Sequence, residues 1–459
     1  MFITSIFCLI TLFIIYHSSF FEINGISKRF ILFTYLTKLL FAVLLYHVYT
    51  NYYTDLSKND IYKYYNDSKV LVDLFYHSSK EFFSFFVGKH SEIIEAKLIY
   101  WKKTNSYGFF NDNRTLILIQ TLIGIFTNKS LGVSFILFTF ISFTSIIALI
   151  KCFDTLKMTI SFFSFSLFFF VPSVLFWSSG PTKETLILSS INGVIFQFIS
   201  FFSSKKIIHL ALGSIFLICL FISKNIIFIL LGITGGVIFL WILFPKINQY
   251  LNSLFYISFL IFLIFIIDLS RPALKGIDFE KPTNNQTGSI EQKKLSKAYQ
   301  LQVTGQQINI LNTLSFKQRD YLLESKVEKA NSTIAIKKIN GSFLNFLNAI
   351  PISIWNVLLF PNCPSLLLGF KAIYYFENCL LITILSISIY GYNSTNTNLN
   401  KKTALFLLLF TFLVFVFQGM VTPVLGNLFR YKSVVMPVFY FAIILSSNAK
   451  LFYVNSNKS

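Results

Sequence analysis

The chain has 459 residues, of which 54% are hydrophobic and 13% are charged, whereas about 25% of the residues in a soluble domain carry a charge. This composition excludes an ordinary soluble globular protein and is typical of a chain that crosses a membrane many times. The formal net charge of +20 does not indicate nucleic-acid binding, because the basic residues are spread through loops and five of the 39 are Arg. We expect the excess lysine to attract anionic lipid headgroups.

Apolar runs of membrane-spanning length follow one another along most of the chain. A helix needs about 20 largely apolar residues to cross the hydrocarbon core of a bilayer. We therefore predict a single all-α domain over residues 1–459, a polytopic bundle of about 11–12 transmembrane helices. The predicted spans lie near 2–17, 30–49, 132–150, 158–176, 185–203, 207–223, 226–244, 251–269, 371–391, 404–420 and 433–447. The segments 114–127 and 344–362 are apolar but interrupted, and we predict interfacial or re-entrant helices there.

Basic residues in the short connections predict the orientation of the bundle, since cytoplasmic loops are enriched in Lys and Arg. With an external amino terminus and a re-entrant 344–362, one set of basic residues shares a side that should be cytoplasmic. The set consists of Lys28, Arg29, Lys151, Lys157, Lys205, Lys206, Lys246, Lys401, Lys402, Lys450 and Lys458. The long polar loops near 50–131 and 270–343 would then lie on the opposite face, together with 177–184 and 421–432.

Cysteine and histidine give no sign of a metal centre or of a disulfide framework. The five cysteines form no CxxC pair, and the five histidines show no HxxH or HExxH spacing. We predict no cofactor; a divalent metal ion is compatible with the chain but is not indicated by it. Any chemistry is therefore expected from polar groups placed at the ends of the spans.

The first predicted outer loop combines carboxylates with tyrosines directly after a span. It reads NYYTDLSKNDIYKYYNDSKVLVDLF and contains Asp55, Asp60, Tyr64 and Asp67. A carboxylate here can act as a general base that takes the proton from an acceptor hydroxyl, and a tyrosine can stack on a sugar. The same pattern also fits an aromatic belt with solvated charges, so the residues alone leave both interpretations open.

A second polar segment, Asn111–Arg114, precedes the apolar stretch 115–127. Either Asp112 or Asn113 would cap a helix at this point, which explains them without a further role. Arg114 is of interest because an Arg guanidinium can bind a phosphate through two hydrogen bonds at once, a geometry that Lys cannot copy.

The third polar segment, WSSGPTKE from Trp177 to Glu184, separates two membrane-length apolar runs. A simple turn would not need a Trp, two hydroxyls, a Gly-Pro pair and an adjacent Lys-Glu. Lys183 can neutralise a phosphate, and the N–H groups at the start of the following helix favour anions. Glu184 suits the dipole of that helix, which accounts for this residue by itself.

The fourth polar segment, TPVLGNLFRYK, brings Arg430 and Lys432 to the predicted outer face. Two cations at a membrane surface can simply snorkel to the interface, or they can bind the phosphate that anchors a lipid donor. Glu377 stands alone in a predicted span, where an ionisable side chain is costly and usually has a partner or a role.

These segments resemble a group of bacterial polytopic membrane proteins that are described as glycosyltransferase-like. PSVLFWSSGPTKE, from Pro172 to Glu184, is similar to a PSxxFWSSGxxKE signature of that group. Arg430-Tyr431-Lys432 with Pro437 resembles the RYxxPxxP element of the GT-C superfamily, whose members transfer sugars from lipid carriers. The chain departs from these patterns in three respects. Asp60 follows the second predicted helix, whereas the catalytic Asp of GT-C enzymes follows the first. Pro181 stands where an aliphatic residue is expected after Gly180, and Ser433 to Val435 precede the proline of the last motif.

The resemblance implies an inverting transferase of a bacterial inner membrane, which takes a sugar from a polyprenyl-phosphate carrier and passes it to a glycan, lipid or protein. It implies Asp60 as the catalytic base, with Asp55 or Asp67 as substitutes. Binding of the carrier phosphate and the sugar would fall to Lys183, Arg430, Lys432, Arg114, Tyr64 and Trp177. Two alternatives stay open: a polymerase of O-antigen or exopolysaccharide, and a flippase or transporter of lipid-linked sugars without covalent chemistry.

Overall fold

The structure, a computed structural model, describes residues 2–52, 59–86, 97–101, 112–243, 310–327, 332–339, 343–359, 368–391 and 398–454. These residues form helices and connecting turns, which confirms the predicted all-α bundle. In chain order the helices are α1 (Phe2–His17), α2 (Lys28–His47), α3 (Asp60–His77), α4 (Ser79–Phe86), α5 (Asp112–Thr127), α6 (Leu131–Thr155), α7 (Phe162–Phe169), α8 (Pro172–Trp177), α9 (Lys183–Ser204), α10 (Ile207–Ser223), α11 (Asn225–Leu243), α12 (Ile310–Val327), α13 (Phe343–Leu358), α14 (Leu368–Tyr390), α15 (Asn398–Val421), α16 (Leu425–Lys432) and α17 (Met436–Ser446).

Five helices in the described part of the chain are long and apolar enough to cross a membrane. They cover Lys28–Asn51, Leu131–Thr155, Lys183–Ser204, Gly369–Tyr390 and Asn400–Val421. The pair α16 and α17, bent by 54°, would make a sixth if it is one broken span. Three other predicted spans correspond to the shorter apolar helices α1, α10 and α11, and 251–269 lies outside the described residues. The total of about 11–12 therefore stays a prediction.

The predicted span at 158–176 is an interrupted helix in the structure, and whether it crosses a membrane stays a prediction. The structure has two short helices there, α7 and α8, separated at Phe170–Val171. Pro172 occupies the first turn of α8, and proline has no N–H to donate to the preceding turn, so a helix cannot run through it without a break. The apolar composition of 158–176 conceals this interruption.

Hydroxyl side chains cap three of the candidate spans at their amino ends. Ser27 accepts a hydrogen bond from the N–H of Phe30 at the start of α2, and Ser130 accepts one from the N–H of Val133 at the start of α6. Thr182 accepts from the N–H of Thr185 at the start of α9. A capping hydroxyl satisfies an N–H that has no partner within the helix, so the local sequence determines where these spans begin.

Contacts along the backbone divide the chain into two units. The first unit comprises Met1–Leu231, Cys379–Thr411 and Arg430–Ser459, and the second comprises Gly232–Asn378 and Phe412–Phe429. All the predicted site residues that the structure describes belong to the first unit.

The first unit has two ends with different chemistry, which we call the Arg430 end and the Lys28 end. At the Arg430 end, the last turns of α2 pack against the start of α6 and against Trp177, through Leu45, Leu131 and Phe135. Since α2 finishes at this end while α6 and α9 begin there, α2 runs in the opposite direction to α6 and α9.

The Lys28 end gathers the start of α2, the end of α6 and the start of α7. Asn24 donates a hydrogen bond to Asp154 over 3.1 Å, and the rings of Phe30 and Phe162 lie 4.3 Å apart. The side-chain amide of Asn400, next to Lys401 and Lys402 on α15, donates a hydrogen bond to the sulfur of Met158 over 3.7 Å. The basic connections of α2, α6 and α15 thus share one end of the unit, as the sequence predicts for a cytoplasmic side.

The second unit is organised around one buried glutamine on α12. Gln318 donates hydrogen bonds to the carbonyls of Lys337 and Met420 and accepts one from the N–H of Ile339. Helix α13 packs closely on the end of α15, because a Cβ at Gly419 would lie 2.4 Å from the carbonyl oxygen of Ser353. Whether the 16-residue α13 crosses a membrane or re-enters it stays a prediction.

Candidate functional site

Asp60 is held at the first position of α3 by the residue before it. Asn59 caps the helix by accepting a hydrogen bond from the N–H of Ile61, and its amide donates to the carbonyl of Tyr49 over 2.7 Å. Asn59 is buried, whereas the side chain of Asp60 is 41% exposed. The start of α3 is therefore tied to the end of α2 and presents an accessible carboxylate.

Arg430 lies between two carboxylates at this end of the unit. Its Nη1 donates to Oδ2 of Asp60 over 3.1 Å, and its Nε lies 2.8 Å from Oε1 of Glu184. The guanidinium carbon sits 5.5 Å from the ring centroid of Trp177. Glu184 is buried and Arg430 is largely so, with 4% and 11% of their side chains exposed. Three segments that are far apart in the sequence thus meet around one guanidinium.

The Ser178–Thr182 turn places Glu184 and Trp177 on this guanidinium. Gly180 is closely packed, since a Cβ there would lie 2.8 Å from the side chain of Leu45 and 2.9 Å from that of Phe135, and these side chains would have to shift. Its carbonyl accepts a hydrogen bond from Thr185 over 2.7 Å. These contacts fix the start of α9, and they position Glu184 as the buried partner of Arg430.

Two lysines add positive charge around Asp60. Nζ of Lys63, one turn along α3, lies 3.8 Å from Oδ1 of Asp60 and 4.9 Å from the ring centroid of Tyr100. Nζ of Lys183 lies 5.4 Å from the ring centroid of Tyr64, whose hydroxyl donates to Asn113 over 3.1 Å. Tyr64 is buried, so it supports Lys183 with its ring face.

The cations determine the charge of Asp60. Burial alone would raise the pKa of this carboxyl, but Arg430, Lys183 and Lys63 attract its charged form and hold the pKa below its ordinary value. Asp60 is therefore ionised at neutral pH, the protonation state that a general base requires.

Asp67 has a structural partner set. Its carboxylate accepts hydrogen bonds from three consecutive backbone N–H groups, at Ile99, Tyr100 and Trp101, over 3.1, 2.8 and 2.7 Å. Burial raises the pKa of Asp67 more than these three donors lower it. This carboxylate anchors the 97–101 segment, which accounts for it without a role as substitute base.

Arg114 also contacts this segment. Its Nε donates to the carbonyl of Trp101 over 3.0 Å, and its guanidinium carbon lies 5.0 Å from the centroid of the Trp101 ring. Lys432 is completely buried at the end of α16 and so is not a surface cation as the sequence suggested. Asp55 lies outside the described residues.

Three functional candidates escaped the sequence predictions. Glu184 was explained by the helix dipole and is the partner of Arg430, while Lys63 was not singled out. Lys38, in the middle of the apolar α2, is buried and donates to Oγ of Ser178 over 2.6 Å. An ionisable residue inside a predicted span is a signal in itself, and it was available from the sequence.

Two polar atoms beside Arg430 retain unused hydrogen-bonding capacity. Nε1 of Trp177 and Oε2 of Glu184 are buried without a hydrogen-bond partner among the described residues. That part of the chain also contains no group of three or more His, Cys, Asp or Glu side chains arranged to hold a metal ion. The site therefore combines the Asp60 carboxylate and its neighbouring cations with two buried polar atoms, on Trp177 and Glu184, beside Arg430.

Comparison with protein-family models, with curated proteins and with solved structures finds no match to this chain.

Proposed function

We propose that this chain is a membrane transferase of GT-C type, which moves a sugar from a polyprenyl-phosphate carrier to a hydroxyl acceptor. One observation carries the proposal: Asp60 presents an accessible, ionised carboxylate among Arg430, Lys63 and Lys183, at the end of a bundle of apolar helices. A base for the acceptor and cations for a phosphate are thereby combined where a lipid-borne substrate would arrive. We place the protein in a bacterial inner membrane on the basis of the resemblance in sequence.

The proposed reaction is a single displacement. Asp60 takes the proton of the acceptor hydroxyl as its oxygen attacks the anomeric carbon. The bond between that carbon and the carrier phosphate breaks, and its electron pair leaves on the phosphate. Lys183 and Lys63 stabilise the charge that develops there. No nucleotide takes part, because the lipid phosphate is the activated leaving group.

Arg430 has a second task in this scheme. Its guanidinium contacts Asp60 and Glu184 at the same time, so it orients the base as well as carrying positive charge. The phosphate-binding role that the sequence suggested for Arg430 stays a prediction. A phosphate would compete with two carboxylates for the same guanidinium.

The test is transfer by purified protein in lipid vesicles, from a panel of polyprenyl-phosphate sugars labelled in the sugar. Asp60→Asn and Lys183→Ala should each lower the transfer rate at least tenfold, or about 1.4 kcal/mol of barrier. Asp73→Asn is the matched control, because Asp73 lies on the same helix, is 65% exposed and pairs with Lys129. Full activity of both site variants would refute the assignment, and translocation of intact carrier without transfer would favour the flippase.

A further inference from the structure

Lys38 is the most unusual polar residue within the apolar part of the first unit. It lies in the candidate span Lys28–Asn51 and is 1% exposed. Its Nζ donates a hydrogen bond to Oγ of Ser178 over 2.6 Å. No carboxylate among the described residues forms an ion pair with Lys38. An amine in such surroundings is costly to bury and is retained where it has a task.

Ser178 connects Lys38 to two further parts of the unit. Its carbonyl accepts a hydrogen bond from Ser142 on α6 over 2.6 Å, and its hydroxyl donates to the carbonyl of Val174 over 2.5 Å. Ser178 is completely buried. Ser178 therefore forms hydrogen bonds with residues of α2, α6 and α8, and Lys38 is the partner on α2.

The position of Ser178 controls the groups around Arg430. Trp177, whose ring faces the guanidinium, is its direct neighbour in the chain. The short turn after it leads to Glu184, and packing of Gly180 against Leu45 and Phe135 leaves this turn little freedom. A displacement of Ser178 would thus be transmitted to both Trp177 and Glu184.

We propose that Lys38 is a positioning residue, which holds the Ser178–Thr182 turn so that Trp177 and Glu184 keep Arg430 beside Asp60. Lysine suits this task because its long apolar stem can pack among apolar side chains while its amine donates to the hydroxyl of Ser178. The hydrogen bond of Lys38 goes to Ser178 and not to the Asp60 carboxylate. Its effect on the reaction passes through the turn.

The inference rests on the proposed function only in its kinetic test. The variant Lys38→Met keeps an unbranched side chain of similar size and removes the hydrogen-bond donor. Asp60 is faced by Arg430, Lys183 and Lys63, and Glu184 contacts Arg430, so loosening Arg430 should raise the pKa of Asp60. The acid limb of the kcat/KM profile should move to higher pH by at least about half a unit.

A second readout does not depend on activity. The chain contains five arginines, so labelling with ¹⁵N-arginine gives few side-chain signals, and Arg430→Lys identifies the one from Arg430. That signal should move in Lys38→Met because the Trp177 ring and the Glu184 carboxylate shift relative to the guanidinium. Lys28→Met is the matched control, since Lys28 lies on the same helix at the Lys28 end.

The outcomes distinguish the two proposals. A moved Arg430 signal supports the positioning role even if the wild type transfers no sugar, a result that would overturn the proposed function alone. If the Arg430 signal and the acid limb of Lys38→Met both match those of Lys28→Met, the positioning role is refuted. Should Lys38→Met fail to fold, Ser178→Ala removes the acceptor instead and should move the same signal, and an unmoved signal there refutes it equally.

Discussion

The two ends of the first unit contain ion pairs of almost the same length in opposite surroundings. At the Lys28 end, Nζ of Lys28 lies 2.7 Å from Glu22, and the two side chains are 39% and 56% exposed. At the Arg430 end, Arg430 lies 2.8 Å from Glu184, and the exposures are 11% and 4%. Water competes for the first pair and is excluded from the second. Similar distances therefore correspond to different energies, and burial determines which pair the fold depends on.

The comparison also separates orientation from chemistry. The Lys28 end presents exposed cations in short connections, which suits a cytoplasmic face. At the Arg430 end, Asp60 and Glu184 contact one guanidinium, and Lys183 and Lys63 add positive charge near Asp60. Such a cluster of charges is a candidate for a functional site, as proposed above. The following predictions test this contrast, beginning with the largest expected effect.

Breaking the buried pair should have the largest consequence. Arg430→Gln leaves Glu184 buried without its cation, which typically lowers the free energy of unfolding by about 3–5 kcal/mol. Unfolding of the purified protein in detergent, followed by circular dichroism, measures this loss. A variant that unfolds like the wild type would show that the Arg430 end is no more dependent on its charges than the Lys28 end.

Filling the space at Gly180 should disturb the Arg430 end without changing any charge. Its new Cβ would overlap Leu45 and Phe135, so Gly180→Ala should cost about 1–3 kcal/mol of unfolding free energy. Gly426→Ala is the control, because nothing lies within 4 Å of a Cβ there and alanine favours a helix. The two substitutions should change stability in opposite directions, as measured by the same unfolding experiment, and equal effects would exclude tight packing of the turn as the cause.

The sequence predicted the helices of the Arg430 end better than the side-chain contacts between them. Long apolar runs with hydroxyl caps predicted α2, α6 and α9, and polar interruptions of those runs identified Asp60, the Trp177–Glu184 segment and Arg430. The partners were not predictable, since Asp60 and Arg430 are 370 positions apart and no local pattern joins them. Glu184 illustrates this limit, because its place in the first turn of α9 already had a local explanation.

Lys38 and the break before Pro172 escaped prediction for related reasons. Hydropathy averages over a window, so one lysine or one proline among many apolar residues hardly changes the mean. The buried amine of Lys38 finds its acceptor on Ser178, which lies 140 positions away in the turn after α8. The face of the helix on which a lysine lies, and the position of a proline within an apolar run, decide the structure, but neither affects the average composition.

The titration of Asp60 offers a smaller and more specific test. Its pKa lies below the ordinary value of about 3.9, so wild-type transfer should persist until the pH falls through that lowered value. Lys63→Ala removes one of the attracting cations and should move the acid limb to higher pH. The kcat/KM profile measures the shift, and a limb that stays in place would exclude Lys63 from the environment of Asp60.

The smallest effect is expected at the Lys28 end. Lys28→Gln breaks an ion pair that water already screens, so neither the unfolding curve nor the rate of transfer should change measurably. Both can be measured beside Arg430→Gln on the same preparation. A loss of stability at Lys28 comparable to that at Arg430 would abolish the distinction between the two ends.

A double-mutant cycle between Glu184 and Arg430 tests most directly that polar segments distant in the sequence meet around one guanidinium. The free energy of unfolding would be measured for the wild type, Glu184→Gln, Arg430→Gln and the double variant. If the two side chains form the buried pair seen here, the double variant should lose less stability than the sum of the single losses, by about 1 kcal/mol or more. Losses that simply add would show that Glu184 and Arg430 do not interact, and would contradict this account of the Arg430 end.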